Sequence, residues 1–536
     1  MTKPHTLNSQ IRVFSILTGL ILLTWWIGLA GFDTYWIPAL IWFSYSINLV
    51  IRGKFAITVE ESLNRGFLWF TSKGRKAVLI FILLNCLFWV FYVILKYYSF
   101  NYHTFDAGIY HNIVYNLSHG EFFSSFHNVN FLANHFNINL VFISPLYKII
   151  PHPHWLMFLK VFSFLACTWF IWKLCEENLP TSQARQWALV LIILWLFLYK
   201  PIINSVRYEF QGSCLSLPFI FYAFLCLQKE NWLRFGITMV FLLGFKEHLA
   251  SVWIGFGCYL LLSTPRKKLG VFLILLGILA LYLIMEQVMP WARDYKETWR
   301  PGVVPWKDLD LKAKYGLALL LPFAFLPLIY WRYGIMAGPA VGINLISSSA
   351  TMYSSHYHYD DVASCLLFIA TILALRDLPL KRMWHQYGRR RWVQAVLVVG
   401  FLFLLGLLPK SNLRFIRESL PKANHFATIR EIKKFDQVIP KSKRFAVLDV
   451  LGIHFNRRNV QVFASQKGEN CLEENRTSIM DAIGEEPVID YIVLAKGVGT
   501  YNLGNFEGCV KNLKNSKQYQ EIEGYEQLLI FKNIEY

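Results

Sequence analysis

The chain is organised as a series of long apolar runs separated by short polar segments, from Ile11 to Leu408. These runs match the length of about 20 apolar residues that a helix needs to cross a bilayer. From Pro409 onward the long apolar runs stop, and shorter mixed patterns replace them. The pattern therefore predicts an all-α polytopic membrane bundle over residues 1–409 and a water-soluble α/β domain over residues 410–536.

The apolar runs predict about thirteen membrane-spanning helices. Ile138–Ile150 is too short to be one of them and is followed by Pro151 and Pro153, so we expect an interfacial or re-entrant segment. Trp232–Ser263 carries three polar residues in its middle, and an unpaired charge there costs about 2.5–3.5 kcal/mol, which favours two short helices. The predicted spans are 11–30, 35–51, 77–95, 155–175, 186–203, 213–228, 232–245, 248–263, 269–289, 314–331, 334–350, 361–375 and 392–409.

The positive charge is placed in the loops and sets the expected orientation. The net charge is +19, but lysine and arginine gather in short segments between the apolar runs, as at 52–76, 266–268 and 376–391. Positive loops stay in the cytoplasm, so this distribution excludes nucleic acid as a partner and predicts a cytoplasmic N-terminus. We expect an integral protein of the plasma (inner) membrane of a cell envelope, with the C-terminal domain outside the cytoplasm.

The first large outer loop, 96–137, contains the most informative polar segment. Ile109, Ile113 and Leu117 fall on one helical face and predict an amphipathic helix on the membrane surface. Asp106 stands at the start of this helix, where it is either a plain N-cap or a chemically active carboxylate. Gly120 suits the position just after the helix end.

Two further polar segments follow apolar runs on the same predicted side. Arg207 and Glu209 either pair with each other or serve a substrate site. Lys246 with Glu247 and His248 is either a structural ion-pair group or a site for a phosphate or a metal ion.

The segment Ser354–Asp361 combines two histidines with two carboxylates, but it matches no fixed metal-ligand spacing, so a solvated loop is the alternative. The chain has nine cysteines and no CxxC pair. Only Cys471 and Cys509 fall in the soluble domain, where they are either disulfide-bonded or free thiols.

Several of these segments together resemble the domain of unknown function 2079 family of predicted membrane proteins. The resemblance rests on Phe105–Tyr110, Asn116–Gly120, His135–Asn137, Ser144–Tyr147 and the motifs at 208–211 and 246–248. Gln211 and His248 stand where members carry a histidine and an acidic residue. The family is in turn similar to the glycosyltransferase C superfamily, whose enzymes transfer a sugar from a polyprenyl-phosphate donor to an acceptor at the outer face of the membrane.

This resemblance implies a catalytic site with a lipid-phosphate donor. It implies that Asp106 acts as general base or cation ligand, with Glu209 orienting substrate or metal. Lys246 and Arg207 would bind the donor phosphate. A divalent cation, Mg²⁺ or Mn²⁺, is a candidate cofactor, with Asp106 and Glu247 as candidate ligands. The substrate-binding candidates are Glu247, His248, Tyr110, His135, His356, Tyr357 and His358.

The soluble domain reads as mixed α/β, with a helix over Ala427–Val438 and strands over Arg444–Val450, Val460–Ala464, Asp490–Leu494 and Gln527–Lys532. No glycine-rich nucleotide fingerprint follows a strand, so a nucleotide cofactor is not expected. Membrane lipid, a polyprenyl-phosphate sugar and an unspecified acceptor are the expected partners. The alternatives are a lipid or polysaccharide transporter or flippase, which often shows two similar halves, or a non-catalytic membrane assembly protein of the same fold.

Overall fold

The computed structural model describes residues 4–27, 36–126, 129–292, 302–379, 390–391, 393–395, 398–399, 412–463, 488–499 and 505–534. These residues form a helical bundle followed by a small α/β domain. The main helices of the bundle are Pro4–Ile27 (α1), Trp36–Ile51 (α2), Phe55–Tyr98 (α3), Ile109–Ser118 (α4), Ser144–Ile149 (α5), His154–Asn178 (α6), Thr181–Ile193 (α7), Lys200–Arg207 (α8), Leu217–Gln228 (α9), Trp232–Leu243 (α10), Ala250–Ser263 (α11), Lys267–Leu283 (α12), Met289–Trp291 (α13), Leu309–Leu320 (α14), Leu326–Ile329 (α15), Trp331–Gly334 (α16), Gly338–Ile346 (α17) and Asp361–Asp377 (α18).

Within the described residues, two helical stretches are long and apolar enough to cross a membrane, His154–Asn178 and Lys267–Trp291. Ala184–Leu198 and Lys200–Arg207 would make a third span together, with a bend of 49° between them. Shorter apolar helices occupy several of the other predicted spans. The helical bundle is thus present, while the count of thirteen spans stays a prediction.

Two predicted spans are not continuous helices. The predicted span 314–331 is divided into α14, a short 3-10 turn and α15, and the predicted span 334–350 contains only short pieces up to α17. Pro322 and Pro327 have no backbone N–H to donate within a helix. Between them, Ala324 and Phe325 adopt left-handed backbone angles, with φ of 50° and 57°. The predicted span 392–409 lies mostly outside the described residues.

The polar interruption in Trp232–Ser263 does break the helix, as predicted. Helix α10 ends at Leu243, a 3-10 turn covers Glu247–Leu249, and α11 begins at Ala250. The short stretch Ile138–Ile150 is likewise divided, into a 3-10 turn and α5. Both breaks bring polar backbone and side chains to one place beside the outer loop.

The C-terminal domain, which the sequence predicts to be soluble and which keeps the name soluble domain, is built on a five-stranded mixed sheet. Its strands are Phe445–Leu448 (β3), Val460–Phe463 (β4), Tyr491–Ala495 (β5), Tyr519–Ile522 (β6) and Leu528–Asn533 (β7), after a small hairpin of Phe123–Ser124 (β1) and Val129–Asn130 (β2). The order is β4-β3-β5-β7-β6, with β3 parallel to β4 and β5, and with β7 antiparallel to β5 and β6. The four predicted strands are confirmed, and β6 was not predicted. The domain's helices are Asn412–Glu418 (α19), Ala423–Val438 (α20) and Phe506–Asn515 (α21).

Two sequence predictions about this domain reach beyond the described residues. The boundary between residues 409 and 410 lies outside them, and so does Cys471. Cys509 is disulfide-bonded, and the seven cysteines of the membrane part are free thiols.

The predicted outer loop is joined to the soluble domain by several hydrogen bonds, and the membrane-surface position of α4 stays a prediction. Asn112 donates from its side-chain amide to the carbonyl oxygens of Arg457 (2.9 Å) and Arg458 (3.0 Å). Ser125 Oγ donates to the Val460 carbonyl oxygen at 2.6 Å. Most residues of α4 are buried, including polar ones. The helix is therefore enclosed between the bundle and the soluble domain, because its polar face binds the domain's backbone instead of water.

Candidate active site

Asp106 lies in a π-helical turn, Thr104–Gly108, that leads into α4. Its carboxylate accepts a hydrogen bond from the Tyr208 hydroxyl at 2.5 Å and another from the Gln211 amide. Among the residues that the structure describes, no side chain caps the start of this turn or of α4. Asp106 is therefore held by side chains from a distant segment, and the N-cap alternative does not describe its contacts.

Gln211 connects this carboxylate to a buried lysine. The amide oxygen of Gln211 accepts from the Tyr110 hydroxyl at 3.1 Å, and Lys246 Nζ lies 3.4 Å from the same oxygen. Asn137 donates in turn to the Tyr110 hydroxyl at 3.1 Å. Asp106, Tyr110 and Lys246 thus meet around one amide group, which places an anion and a cation at the same site.

Glu209 supports the turn that carries Asp106. One of its carboxylate oxygens accepts from the backbone N–H of His103 at 2.7 Å, and the other accepts from the N–H of Ala107 at 2.8 Å. Burial raises the pKa of Glu209 to about 7. Arg207, by contrast, stacks its guanidinium 3.5 Å from the centre of the Phe415 ring. The sequence left open whether Arg207 pairs with Glu209. In the structure, the Glu209 carboxylate instead binds these two backbone N–H groups.

Two lysines of the bundle hold the backbone of this segment. Lys160 Nζ donates to the carbonyl oxygens of Tyr208 (2.7 Å) and Glu209 (2.9 Å). Lys96 Nζ donates to the Arg207 carbonyl oxygen at 3.1 Å. Because α8 ends at Arg207, these carbonyl oxygens have no partner further along a helix, and the ammonium groups satisfy them.

Glu247 and His248 border the same region. Glu247 accepts from the His135 ring nitrogen Nδ1 at 3.0 Å and from the backbone N–H of Phe136 at 3.1 Å. Burial raises the pKa of Glu247, but the neighbouring His135 and Lys246 lower it by more, so that the pKa lies below its ordinary value. His248 follows Glu247 in the same 3-10 turn, at the start of the predicted span 248–263. His135 and Glu247 thus form one bound pair beside Lys246.

Three substrate-binding candidates, His356, Tyr357 and His358, lie in the loop before α18. The rings of Tyr357 and His358 contact the Tyr208 ring. The His358 ring stacks on the Tyr208 ring with centroids 5.2 Å apart, and the Tyr357 ring meets it edge-on at 5.4 Å. His358 is buried, and within the described residues neither of its ring nitrogens has a hydrogen-bond partner. A buried imidazole without partners is costly, so His358 is suited to meet a polar ligand. His356 is exposed at the outer edge of this loop.

No preformed cation site is found. Within the described ranges, no three His, Cys, Asp or Glu side chains are grouped as metal ligands. The oxygens of Asp106 and Glu247 accept hydrogen bonds from N–H and O–H groups, as carboxylates do both with and without a bound metal ion. The divalent cation stays a prediction, and the chemistry below does not depend on it.

The soluble domain reaches the same turn through Asp449, at the end of β3. Its carboxylate lies 2.7 Å from the His103 ring nitrogen Nδ1 and accepts from the Thr104 N–H at 2.9 Å, while the Thr104 hydroxyl donates to its carbonyl oxygen. Burial lowers the pKa of His103, but the hydrogen bond to Asp449 and the charge of Glu209 outweigh it and raise that pKa overall. The turn is therefore held between two carboxylates, Glu209 from the bundle and Asp449 from the soluble domain.

A group of imidazoles, called here the histidine cluster, lies where the two domains meet. The His454 ring lies 4.3 Å from that of Tyr97, and within the described residues neither of its ring nitrogens has a hydrogen-bond partner. Burial and the neighbouring imidazoles lower the pKa of His454 well below its ordinary value. Burial also lowers the pKa of His111 to about 3 and that of His152 to about 4. The cluster comprises His111, His152, His154 and His454, with Lys433 as the nearby fixed charge.

Sequence reasoning missed several residues that build the site. Tyr208 and Gln211 were read only as parts of a motif, although side chains three apart in a short non-helical segment can reach one neighbour. Lys160 had a visible signal, because a lone lysine inside an apolar span needs a partner. Asp449 had none, since nothing in the pattern indicates that it meets a turn hundreds of residues earlier.

Comparison with known proteins gives a family and a fold. The family described as "Predicted membrane protein (DUF2079)" matches residues 96–301 and 304–483. The fold is similar to the crystal structure of ArnT from Cupriavidus metallidurans bound to undecaprenyl phosphate, with a TM-score of 0.50 at 12% sequence identity. The alignment covers 86% of this chain and 99% of the ArnT chain. No curated protein matches the chain.

Proposed function

The chain belongs to the domain of unknown function 2079 family of predicted membrane proteins, and from this membership, its fold and its polar site we propose that it is a membrane glycosyltransferase. Its donor is a polyprenyl-phosphate sugar, and its acceptor is a hydroxyl group presented at the outer face of the membrane. The ArnT crystal structure contains undecaprenyl phosphate, which supports a lipid phosphate of this kind as donor carrier.

The observation that carries the proposal is the link from Asp106 through Gln211 to Lys246. A carboxylate and an ammonium group stand on either side of one amide, in a region where burial strengthens electrostatic interactions. A phosphoglycosyl donor needs a cation near its phosphate and a base near the attacking hydroxyl. Both groups are available here, and the unpartnered imidazole of His358 adds a polar contact for the sugar.

The reaction follows from these positions. The acceptor hydroxyl oxygen attacks the anomeric carbon of the donor sugar, and the bond from that carbon to the phosphate oxygen breaks. The polyprenyl phosphate leaves with the electron pair, and Lys246 stabilises the charge that develops on it. The hydroxyl proton passes to Asp106, whose orientation Tyr208 and Gln211 fix. Phosphate is a good leaving group, so no acid is needed to protonate it.

The orientation in the membrane belongs to the same proposal. With about thirteen spans and a cytoplasmic N-terminus, the Asp106 turn and the soluble domain both lie outside the cytoplasm. Polyprenyl-linked sugars presented on that side reach the site without crossing the bilayer. A transporter would instead need polar groups continuing through the bundle.

The test measures sugar transfer by the purified full chain in lipid nanodiscs. A panel of undecaprenyl-phosphate-linked hexoses, hexosamines and pentoses serves as donors, and host membranes lacking the protein supply the acceptor. We expect Asp106→Asn to lower the transfer rate by roughly 10²-fold or more, which is the contribution usual for a general base. Lys246→Met should weaken binding of undecaprenyl phosphate.

Asp377→Asn provides a matched control, because Asp377 also accepts a hydrogen bond from a tyrosine, Tyr333, but at the last residue of α18, whose first residue, Asp361, is the end near the site. It should retain transfer. Full transfer by Asp106→Asn, or transfer by no donor of the panel with the wild-type chain, contradicts the proposal. Movement of labelled lipid across the bilayer without sugar transfer would favour the transporter alternative.

A further inference from the structure

A cleft of about 610 Å³ opens between the outer loop and the soluble domain. One wall of the cleft is formed by Ser99–Asn101 and His103. A second wall is formed by the end of α19 and the segment that leads into α20. Gly497–Gly499 and Val450 close it from the sheet. The volume is within the range of small-molecule binding sites, about 300–1,000 Å³.

The position of the cleft on the sheet is one that binds ligands in α/β folds. The chain passes from β3 to its neighbour β4 and then returns to the other side of β3 as the parallel strand β5. Ligands in open α/β sheets bind outside the carboxyl ends of parallel strands where the order reverses in this way. Val450 follows the end of β3 and Gly497–Gly499 follow the end of β5, so the cleft lies at this reversal.

The cleft also borders the proposed catalytic turn. His103 lines it, and its backbone N–H is bound by Glu209 while its ring is held by Asp449. Asp106 follows three residues later on the same turn. A molecule bound in the cleft therefore contacts His103, the residue directly before the turn that carries Asp106.

The lining suits a ligand rich in hydroxyl groups. Glu418 and Lys422 give the walls one negative and one positive charge, so neither sign of ligand is favoured strongly. Asn101 and the backbone of Gly497–Gly499 supply neutral donors and acceptors, and the His103 imidazole adds a further polar group. Phe100, Leu420 and Val498 add apolar surface of the kind that packs on the C–H faces of a sugar ring.

We propose that this cleft is the acceptor site and that the acceptor presents a saccharide-like, hydroxyl-rich group to it. The inference rests on the proposed function, and it assigns the soluble domain a share in substrate binding. The donor lipid approaches from the bundle beside Lys246, and the acceptor approaches from the cleft beside His103. The turn from His103 to Asp106 connects the cleft with the group around Gln211 and Lys246.

The experiment separates acceptor binding from catalysis. Purified chain in nanodiscs is given the radiolabelled donor that supports transfer, and two products are measured: labelled acceptor in host membranes, and free sugar released by water. Gly499→Leu fills the cleft from one side, because a Cβ there meets only Val450 Cγ1, at 3.8 Å. Leu420→Trp fills it from the opposite wall, where Leu420 is 53% exposed. Gly499→Ala is the matched control.

Both filling variants should lower transfer at least tenfold, while water release and undecaprenyl-phosphate binding stay within twofold of the wild type. Gly499→Ala should behave as the wild type. Unchanged transfer in the filled variants overturns the inference. A parallel loss of water release or lipid binding overturns it as well, because the cleft would then serve the donor. If the wild-type chain neither transfers nor releases sugar, the proposed function itself has failed.

The ligand class is tested by two charge variants. Glu418→Gln and Lys422→Gln should each weaken transfer modestly, about three- to tenfold, as the loss of one hydrogen bond would. Opposite effects in the two variants would show that the acceptor is charged, and the saccharide assignment would be wrong.

Discussion

Gly452→Ala is predicted to disturb the site from a distance. Gly452 packs against Thr104, the first residue of the turn that carries Asp106. A Cβ at this glycine would lie 2.7 Å from Thr104 Cγ2 and closer still to its hydroxyl oxygen, whereas ordinary contacts begin near 3.4 Å. The turn cannot move away freely, because Glu209 and Asp449 bind its backbone from both sides.

The size of the effect follows from this geometry. Relieving the clash requires a shift of about 1 Å in the turn or in the soluble domain, and overpacking of this kind costs roughly 1–3 kcal/mol of stability. A displacement of about 1 Å at a catalytic group lowers the rate on the order of 10²-fold. We therefore expect a lower thermal unfolding temperature and a strongly reduced kcat, with the KM for the donor nearly unchanged.

The assay compares Gly452→Ala with Gly499→Ala and with the double variant Gly452→Ala/Thr104→Ala. The double variant removes the hydroxyl and methyl groups that clash, at the expense of one hydrogen bond to Asp449, worth about 1 kcal/mol. It should recover most of the lost kcat. If Gly452→Ala unfolds at the wild-type temperature and transfers sugar at the wild-type rate, the coupling between the soluble domain and the Asp106 turn does not exist.

Two further predictions concern the contacts around this turn. The histidine cluster should weaken docking of the soluble domain in acid. The pKa values of these imidazoles in the folded protein lie below the unfolded value of about 6.5. Their contribution to the folding free energy is therefore fully present above pH 6.5 and is lost as the pH falls toward about 4. At pH 5 each such imidazole lowers the free energy of unfolding by about 2 kcal/mol. The thermal unfolding temperature should therefore fall markedly from pH 7 to pH 5, and His454→Phe should reduce this fall. A pH-independent unfolding temperature in the wild type would contradict this. Glu209→Gln should lower the free energy of unfolding by about 1–3 kcal/mol, because an amide cannot accept hydrogen bonds from both backbone N–H groups that the carboxylate binds. An unfolding temperature equal to that of the wild type would refute this explanation.

The helices of the bundle could be predicted where a run was uniformly apolar. Helix α6 and the two helices on either side of Lys246 closely match their predicted ranges. The prediction of a continuous helix was wrong for 314–331, which contains Pro322 and Pro327, and for 334–350, which contains Pro339 at the start of α17. In those runs the missing backbone donors decide the local structure, although every side chain nearby is suited to a membrane.

The candidate site could be predicted as a set of residues but not as an arrangement. Sequence position marked Asp106, Glu209 and Lys246, because charged groups near apolar runs are rarely kept without use. It could not show that Gln211 connects two of them, or that Glu209 binds backbone rather than Arg207. It also could not show that the C-terminal domain covers the polar face of α4, because periodicity identifies only the apolar face.

Lys96 and Lys160 donate hydrogen bonds to backbone carbonyl oxygens, and this affects which side chains of the site can be substituted. The two ammonium groups bind the main chain of residues 207–209, which every amino acid provides. Side chains along this segment can therefore be exchanged over evolution while the path of the backbone is retained. A scaffold fastened in this manner would allow related chains to accept different sugars by changing Tyr208 or Gln211 alone.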